Sequence, residues 1–130
     1  MVSRHIGVVI AAPRDAVVAF VRDPRTLPRW AAGLARGDIG STEDGGLVLD
    51  SPMGRVTVRF APENPFGVLD HDVTLPSGEV TNNPMRVLVH PDGAEVVFTV
   101  RQGDASDAEF RRDAGLVEAD LQRLKGLLEG

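Results

Sequence analysis

The stretch SDAEFRRDAGLVEADLQRLKGLLEG, residues 106–130, decides how this chain is read. Phe110, Ala114, Val117, Leu121, Leu124 and Leu128 recur at three- and four-residue intervals, the spacing that gathers side chains on one face of an α-helix. Arg111, Glu118, Gln122 and Lys125 fall off that stripe and read as a solvated face. Ser106, with Glu109 three residues later, has the spacing of a capping box, in which two unpaired backbone donors at a helix start are satisfied reciprocally. Gly115 weakens the interior of the helix. A helix with one apolar stripe must bury that stripe, and the residues before it supply a sheet for the purpose.

From residue 34 to 102 the period changes to two. Leu47 and Leu49 alternate with Val48 and Asp50, Ser51-Pro52-Met53-Gly54 turns, and Val56, Val58 and Phe60 alternate with Arg55, Thr57 and Arg59, which is a β-hairpin pattern. A connection over 62–67 leads to a strand over 68–75 and a Pro76-Ser77-Gly78 turn. A strand over 80–89, a Pro91-Asp92-Gly93 turn and a last strand over 95–101 follow. Pro84 has no N–H to give a ladder, so it predicts a bulge or an unpaired donor in the penultimate strand. Ahead of this meander, Ile6, Val8 and Ile10 alternate as a half-buried strand does. Pro13 suits the first turn of a helix carrying Val17, Phe20 and Val21. Asp23 and Pro24 open a second short helix that closes with Pro28 and Trp30 before Gly33.

Composition excludes several classes. The 130 residues suit one domain, 1–130, and 42% hydrophobic with 25% charged residues suits a folded chain. Fourteen Lys and Arg against nineteen Asp and Glu give a formal charge of -5, which repels nucleic acid and anionic lipid. No run is long and apolar enough for membrane insertion, and no signal-peptide core precedes the first strand, so a cytoplasmic location is expected. The absence of cysteine removes thiolate nucleophiles and Cys-ligated zinc, and the absence of tyrosine removes a common phenolic proton donor. Gly45-Gly46 lacks the lysine of a phosphate-binding loop, and no nucleophile elbow surrounds any serine. No cofactor is expected.

A strand, two short helices, six further antiparallel strands and one long terminal helix place the helices over one face of a curved sheet. The expectation is an α+β helix-grip fold with about six or seven strands in the order β-α-α-β-β-β-β-β-β-α. In the run Ile6-Gly7-Val8-Val9-Ile10-Ala11-Ala12-Pro13, in Val17, Phe20 and Val21, in Asp23-Pro24 and Trp30, and in the terminal helix, the chain resembles the START-like (SRPBCC) superfamily. That superfamily includes polyketide cyclases and dehydratases, pollen allergens and lipid carriers. The residues around Phe66–His71 and Met85-Arg86-Val87 also resemble a small actinobacterial-type subgroup of it, which has no activity to transfer. The resemblance implies a deep cavity between sheet and helix and fixes no reaction.

His71 is the leading candidate for chemistry, because alternation puts it on one face with Leu69, Val73 and Leu75 while Asp70 and Asp72 point the other way. It is read either as a core histidine satisfied by backbone or water, or as a group that moves a proton or hydrogen-bonds a ligand carbonyl. The Asp70-His71-Asp72 triplet cannot converge on one metal ion, and no metal is expected. Thr81, Asn83 and Met85 share the alternate face of the penultimate strand with Val87 and Val89. Arg86 faces away unless a bulge at Pro84 turns it inward. Trp30, Phe60, Val96, Phe98 and Val100, with Val117 and Leu121 of the helix, supply apolar wall, a pattern equally that of a packed core.

Three functions follow. The first is binding of an apolar or aromatic small molecule, through Trp30, Phe60, Leu69, His71, Val73, Asn83, Met85, Phe98, Val117 and Leu121. The second is a cyclase- or dehydratase-like enzyme with His71 as acid and base while Asn83 or Arg86 steadies negative charge. The third is a homodimerising domain with a filled core and an exterior apolar patch. An interior pocket of several hundred Å³ separates the first two from the third.

Overall fold

The computed structural model describes residues 1–31 and 36–130, with side chains from residue 39 onward in the second stretch. The expected helix stop at Gly33 and sheet start at Leu34 lie outside the described residues. β1 (Ser3–Ile10) leads into α1 (Arg14–Arg22). Pro13 is the N-cap, its ψ of 145° still extended, so it stands one residue before the first turn rather than inside it. The Asp23 carboxylate accepts from Arg25 N at 3.0 Å and opens a single 3-10 turn, Pro24–Thr26, that runs into α2 (Leu27–Trp30).

Seven strands follow: β2 (Arg36–Ser41), β3 (Leu47–Ser51), β4 (Gly54–Phe60), β5 (His71–Thr74), β6 (Val80–Asn83), β7 (Met85–His90) and β8 (Gly93–Arg101). All pairings are antiparallel, in the orders β1-β8-β7 and β2-β3-β4-β5-β6. Ser51 pairs with Gly54, so Pro52 and Met53 alone form the tip of the β3–β4 hairpin.

The penultimate strand is broken where Pro84 stands. Asn83 still pairs with His71 on β5, whereas Met85 pairs with Phe98 on β8, so the chain changes partners across one residue. Pro84 leaves no donor unpaired because it has none, and its carbonyl accepts from Thr99 N at 2.9 Å. The residues before β5 then pair with β7: Leu69 N donates to Met85 O, and Val87 N donates to Gly67 O, both at 2.8 Å. These bonds and the Val68–Arg86 bridge join the two sets of strands into one curved surface. Counting β6 and β7 as the single strand that the sequence suggests gives seven among the described residues, within the expected six or seven; Pro84 makes them eight.

α3 (Asp107–Glu129) lies across this surface, against β1, β8 and α2. The capping box forms, with Ser106 Oγ accepting from Glu109 N and Ser106 N donating to Glu109 Oε1, each at 3.1 Å. Ala114, Leu121 and Leu124 are buried, and Val117 and Leu128 pack against the same core. Two cations tie the helix down: Lys125 Nζ donates to Val9 O at 2.7 Å, and Arg123 Nε to Trp30 O at 3.2 Å. Val89, expected on the inner face, is 75% exposed although its partner Ala94 on β8 is fully buried.

A Cβ built at Gly115 meets nothing within 4 Å, so close packing does not require this glycine. Gly115→Ala is therefore expected to stabilise the fold by about 0.5–1 kcal/mol, since alanine has less backbone freedom to lose in a helix. A rise in the urea midpoint checks it, and a fall would mean that the helix is packed on that side.

Candidate functional site

The site begins with the alternation of β5. His71 projects to the inner face between buried Leu69 and Val73, while Asp70 and Asp72 project outward. Its cross-strand partners are Phe60 on β4 and Asn83 on β6. The imidazole is only 6% exposed and is flanked by two aromatic rings, Phe60 with centroids 5.2 Å away and Phe98 at 5.7 Å.

Nδ1 of His71 lies 3.0 Å from Leu69 O. A carbonyl oxygen can only accept, so the proton sits on Nδ1. Burial lowers the imidazole pKa below its ordinary value, against the opposing pull of the Leu69 carbonyl and of the Asp70 and Asp72 charges. The ring is thus neutral near pH 7, and its Nε2 carries a lone pair. A neutral ring whose proton is committed to Leu69 O presents only an acceptor, at Nε2.

A cavity of about 340 Å³ lies between the sheet and α3, with His71 in its wall. Val73 and Leu75 line it from β5 and beyond, Thr81, Asn82 and Asn83 from β6, and Phe98, Val100 and Arg101 from β8. α2 and the residue after it contribute Trp30 and Ala31; α3 contributes Asp113, Leu116, Val117, Asp120 and Leu121. At the mouth stand Met53 of the β3–β4 tip and Leu116, which are 55% and 54% exposed. Asp120 is paired with Arg123. Trp30 Nε1 is sealed from solvent and has no partner among the described residues.

Of the ten residues expected to line a ligand site, Trp30, His71, Val73, Asn83, Phe98, Val117 and Leu121 meet around this cavity. Leu69 and Met85 do not; both are fully buried in the core beside it. Val96 is likewise core. Phe60 lies tilted at 50° to His71 and lines a second cavity of about 240 Å³, on which Arg59, Asp70 and Asp72 also border and which His71 and Asn82 share with the first. Arg86 stays on the outer face. Its guanidinium grips both oxygens of Asp70 at 2.8 Å, and this pairing first, with a bond from Met85 N, holds the Asp70 carboxyl below the usual range. Asp72 accepts from Asn82 Nδ2 at 2.8 Å, so both carboxylates are engaged by partners of their own although they border the second cavity together with His71. His5 pairs with Thr99 Oγ1 on the β1–β8 ladder, and His90 sits at the β7–β8 turn. Sequence reasoning missed Met53 and Leu116. A hairpin tip has no periodicity to read, but an apolar residue beside the helical stripe, as Leu116 is, was a legible signal.

The buried imidazole makes stability pH-dependent. Because the folded pKa lies below 6.5, the unfolded chain takes the proton first as pH falls. Stability is full above about pH 6.5 and declines below it until the folded imidazole is protonated as well. The shifted carboxyl groups of Asp70 and Glu109 lie below ordinary values of 3.8 and 4.5, so they act at lower pH. Urea midpoints between about pH 7 and 5 should therefore fall for the wild type and fall less for His71→Gln. Parallel curves would remove His71 as the cause.

No family model and no curated protein matches the chain. Solved structures do. The Aha1 dimer from Colwellia psychrerythraea superimposes with a TM-score of 0.76 at 16% identity, over 99% of this chain and 97% of that one. The protein XoxI from Bacillus cereus gives 0.75 at 15% identity, over 98% and 96%. DynU16, from the dynemicin biosynthetic locus, gives 0.73 at 18% identity over 98% of this chain, which spans about half of that longer one, 47%. Among the described residues no helix is long and apolar enough to cross a membrane. At these identities the likeness establishes the fold, a curved antiparallel sheet gripping a long C-terminal helix, and carries no activity.

Proposed function

We propose that this protein binds an apolar or aromatic small molecule between the sheet and α3, as START-like carriers do. The observation that carries the reading is the cavity itself: about 340 Å³, within the range of small-molecule sites, with Val73, Phe98, Val117 and Leu121 in its walls. Most of its lining surface is apolar, as suits recognition by shape with a few oriented polar contacts. The origin of DynU16 in a biosynthetic locus fits a fold put to use on small molecules. A solidly packed dimerisation domain draws no support from an interior that holds this space.

A ligand that binds only the folded state stabilises it by mass action, by about 2.7 kcal/mol at a hundredfold excess over Kd. A panel of neutral aromatic and aliphatic compounds is expected to include members that raise the thermal midpoint, while nucleotides and short carboxylates leave it unmoved. A flat response across the apolar compounds would end this reading.

The second reading, a cyclase- or dehydratase-like reaction, is favoured by one observation, the unprotonated Nε2 of His71 beside Asn83 in the cavity wall. Arg86, bound to Asp70 outside, takes no part in it. Turnover of a carbonyl substrate that is lost in His71→Gln, with ligand binding kept, would establish it.

A further inference from the structure

We infer that the cavity selects neutral ligands bearing a hydroxyl group, whose O–H donates to Nε2 of His71, over analogues of the same shape that can only accept a hydrogen bond. The inference rests on the binding function proposed above and narrows it to a ligand class.

The bond from Nδ1 to Leu69 O fixes the tautomer, so Nε2 offers a lone pair and nothing else. No donor among the described residues reaches that nitrogen. Phe60 and Phe98 occupy the flanks of the ring, and the one buried indole N–H nearby, Trp30 Nε1, is sealed from the cavity space. The acceptor is therefore left for whatever fills the cavity. A hydroxyl supplies the missing proton, and its oxygen can in turn accept from the amide of Asn83, which stands directly opposite His71 on β6. An ether sets its lone pairs against that of Nε2 and leaves a buried acceptor unpaired, at a cost typical of such groups. A carboxylate brings a charge into apolar walls whose bordering cation, Arg101, is exposed at the rim.

The test measures Kd by calorimetry at pH 7.5 for 2-naphthol, 2-methoxynaphthalene and naphthalene, on the wild type and on His71→Phe. The wild type is expected to bind the naphthol about tenfold more tightly than the methoxy compound. In His71→Phe the two should fall within about twofold of each other. The 15N resonance of His71 Nε2 in the wild type gives a second readout that needs no variant. It should lie in the unprotonated range when free and move toward the protonated range with naphthol, but not with the methoxy compound. Equal binding by the wild type, a preference that survives in His71→Phe, or a protonated Nε2 in the free protein would overturn the inference and leave the binding function standing. Failure of all three compounds to bind would overturn both.

Discussion

Leu121→Ala is expected to lower the unfolding free energy by about 2–5 kcal/mol, the usual cost of truncating a buried leucine. Leu121 is 1% exposed and sits where the stripe of α3 meets both the core and the cavity wall. Truncation removes apolar surface from burial and enlarges a space already present, and the rigid ladder beneath the helix cannot collapse to fill it. Gln122→Ala, one residue on and exposed, serves as the control and should stay within about 0.5 kcal/mol. Urea denaturation of the two variants distinguishes them. A Leu121→Ala midpoint indistinguishable from that of the control would mean that the helix does not seat on this face.

Gly67→Ala should cost about 3–5 kcal/mol, more than any single side chain contact at the same place could. Gly67 has φ of +74°, and a Cβ there would lie 2.2 Å from Val87 O. That carbonyl belongs to the residue whose N–H donates to Gly67 O, so the strand before β5 could not accommodate the methyl group without giving up its pairing with β7. This pairing joins the two sets of strands, and its loss would loosen the wall that carries His71. Gly78 separates backbone strain from collision. Its φ is +90°, but a Cβ there meets nothing within 4 Å, so Gly78→Ala should show only the strain, about 1–2 kcal/mol. Equal midpoints for the two variants would show that the close approach at Gly67 carries no weight.

The reading of the helix was local and so could be made before any fold was known. The spacing from Ala114 to Leu128 and the Ser106–Glu109 box depend on residues within a turn of one another, and both are realised, whereas Phe110 at the head of the stripe is half-buried and lies outside the core cluster. The side to which His71 projects was legible for the same reason: a strand alternates, and a residue between Leu69 and Val73 in a half-buried strand has one side to go to. The turn at Pro52–Met53 and the projection of Asp70 and Asp72 to the face opposite His71 also followed from local rules.

Tertiary structure decided what required two distant segments to meet. Pro84 announced an irregularity, but whether the chain bulged, ended or changed partners depended on Thr99 and on the strand before β5. Its outcome was a change of ladder from β5 to β8. Sequence could not separate cavity wall from core, because both require apolar residues on the inner face. Leu69 and Met85 share the pattern of Val73 and Asn83, yet they are fully buried in the core, while Val73 and Asn83 border the cavity between sheet and α3. The role of His71 was divided in the same way. Its residue type and parity placed a titratable ring inside, whereas the nitrogen left as an acceptor was set by the Leu69 carbonyl, whose reach depends on the backbone path of the strand.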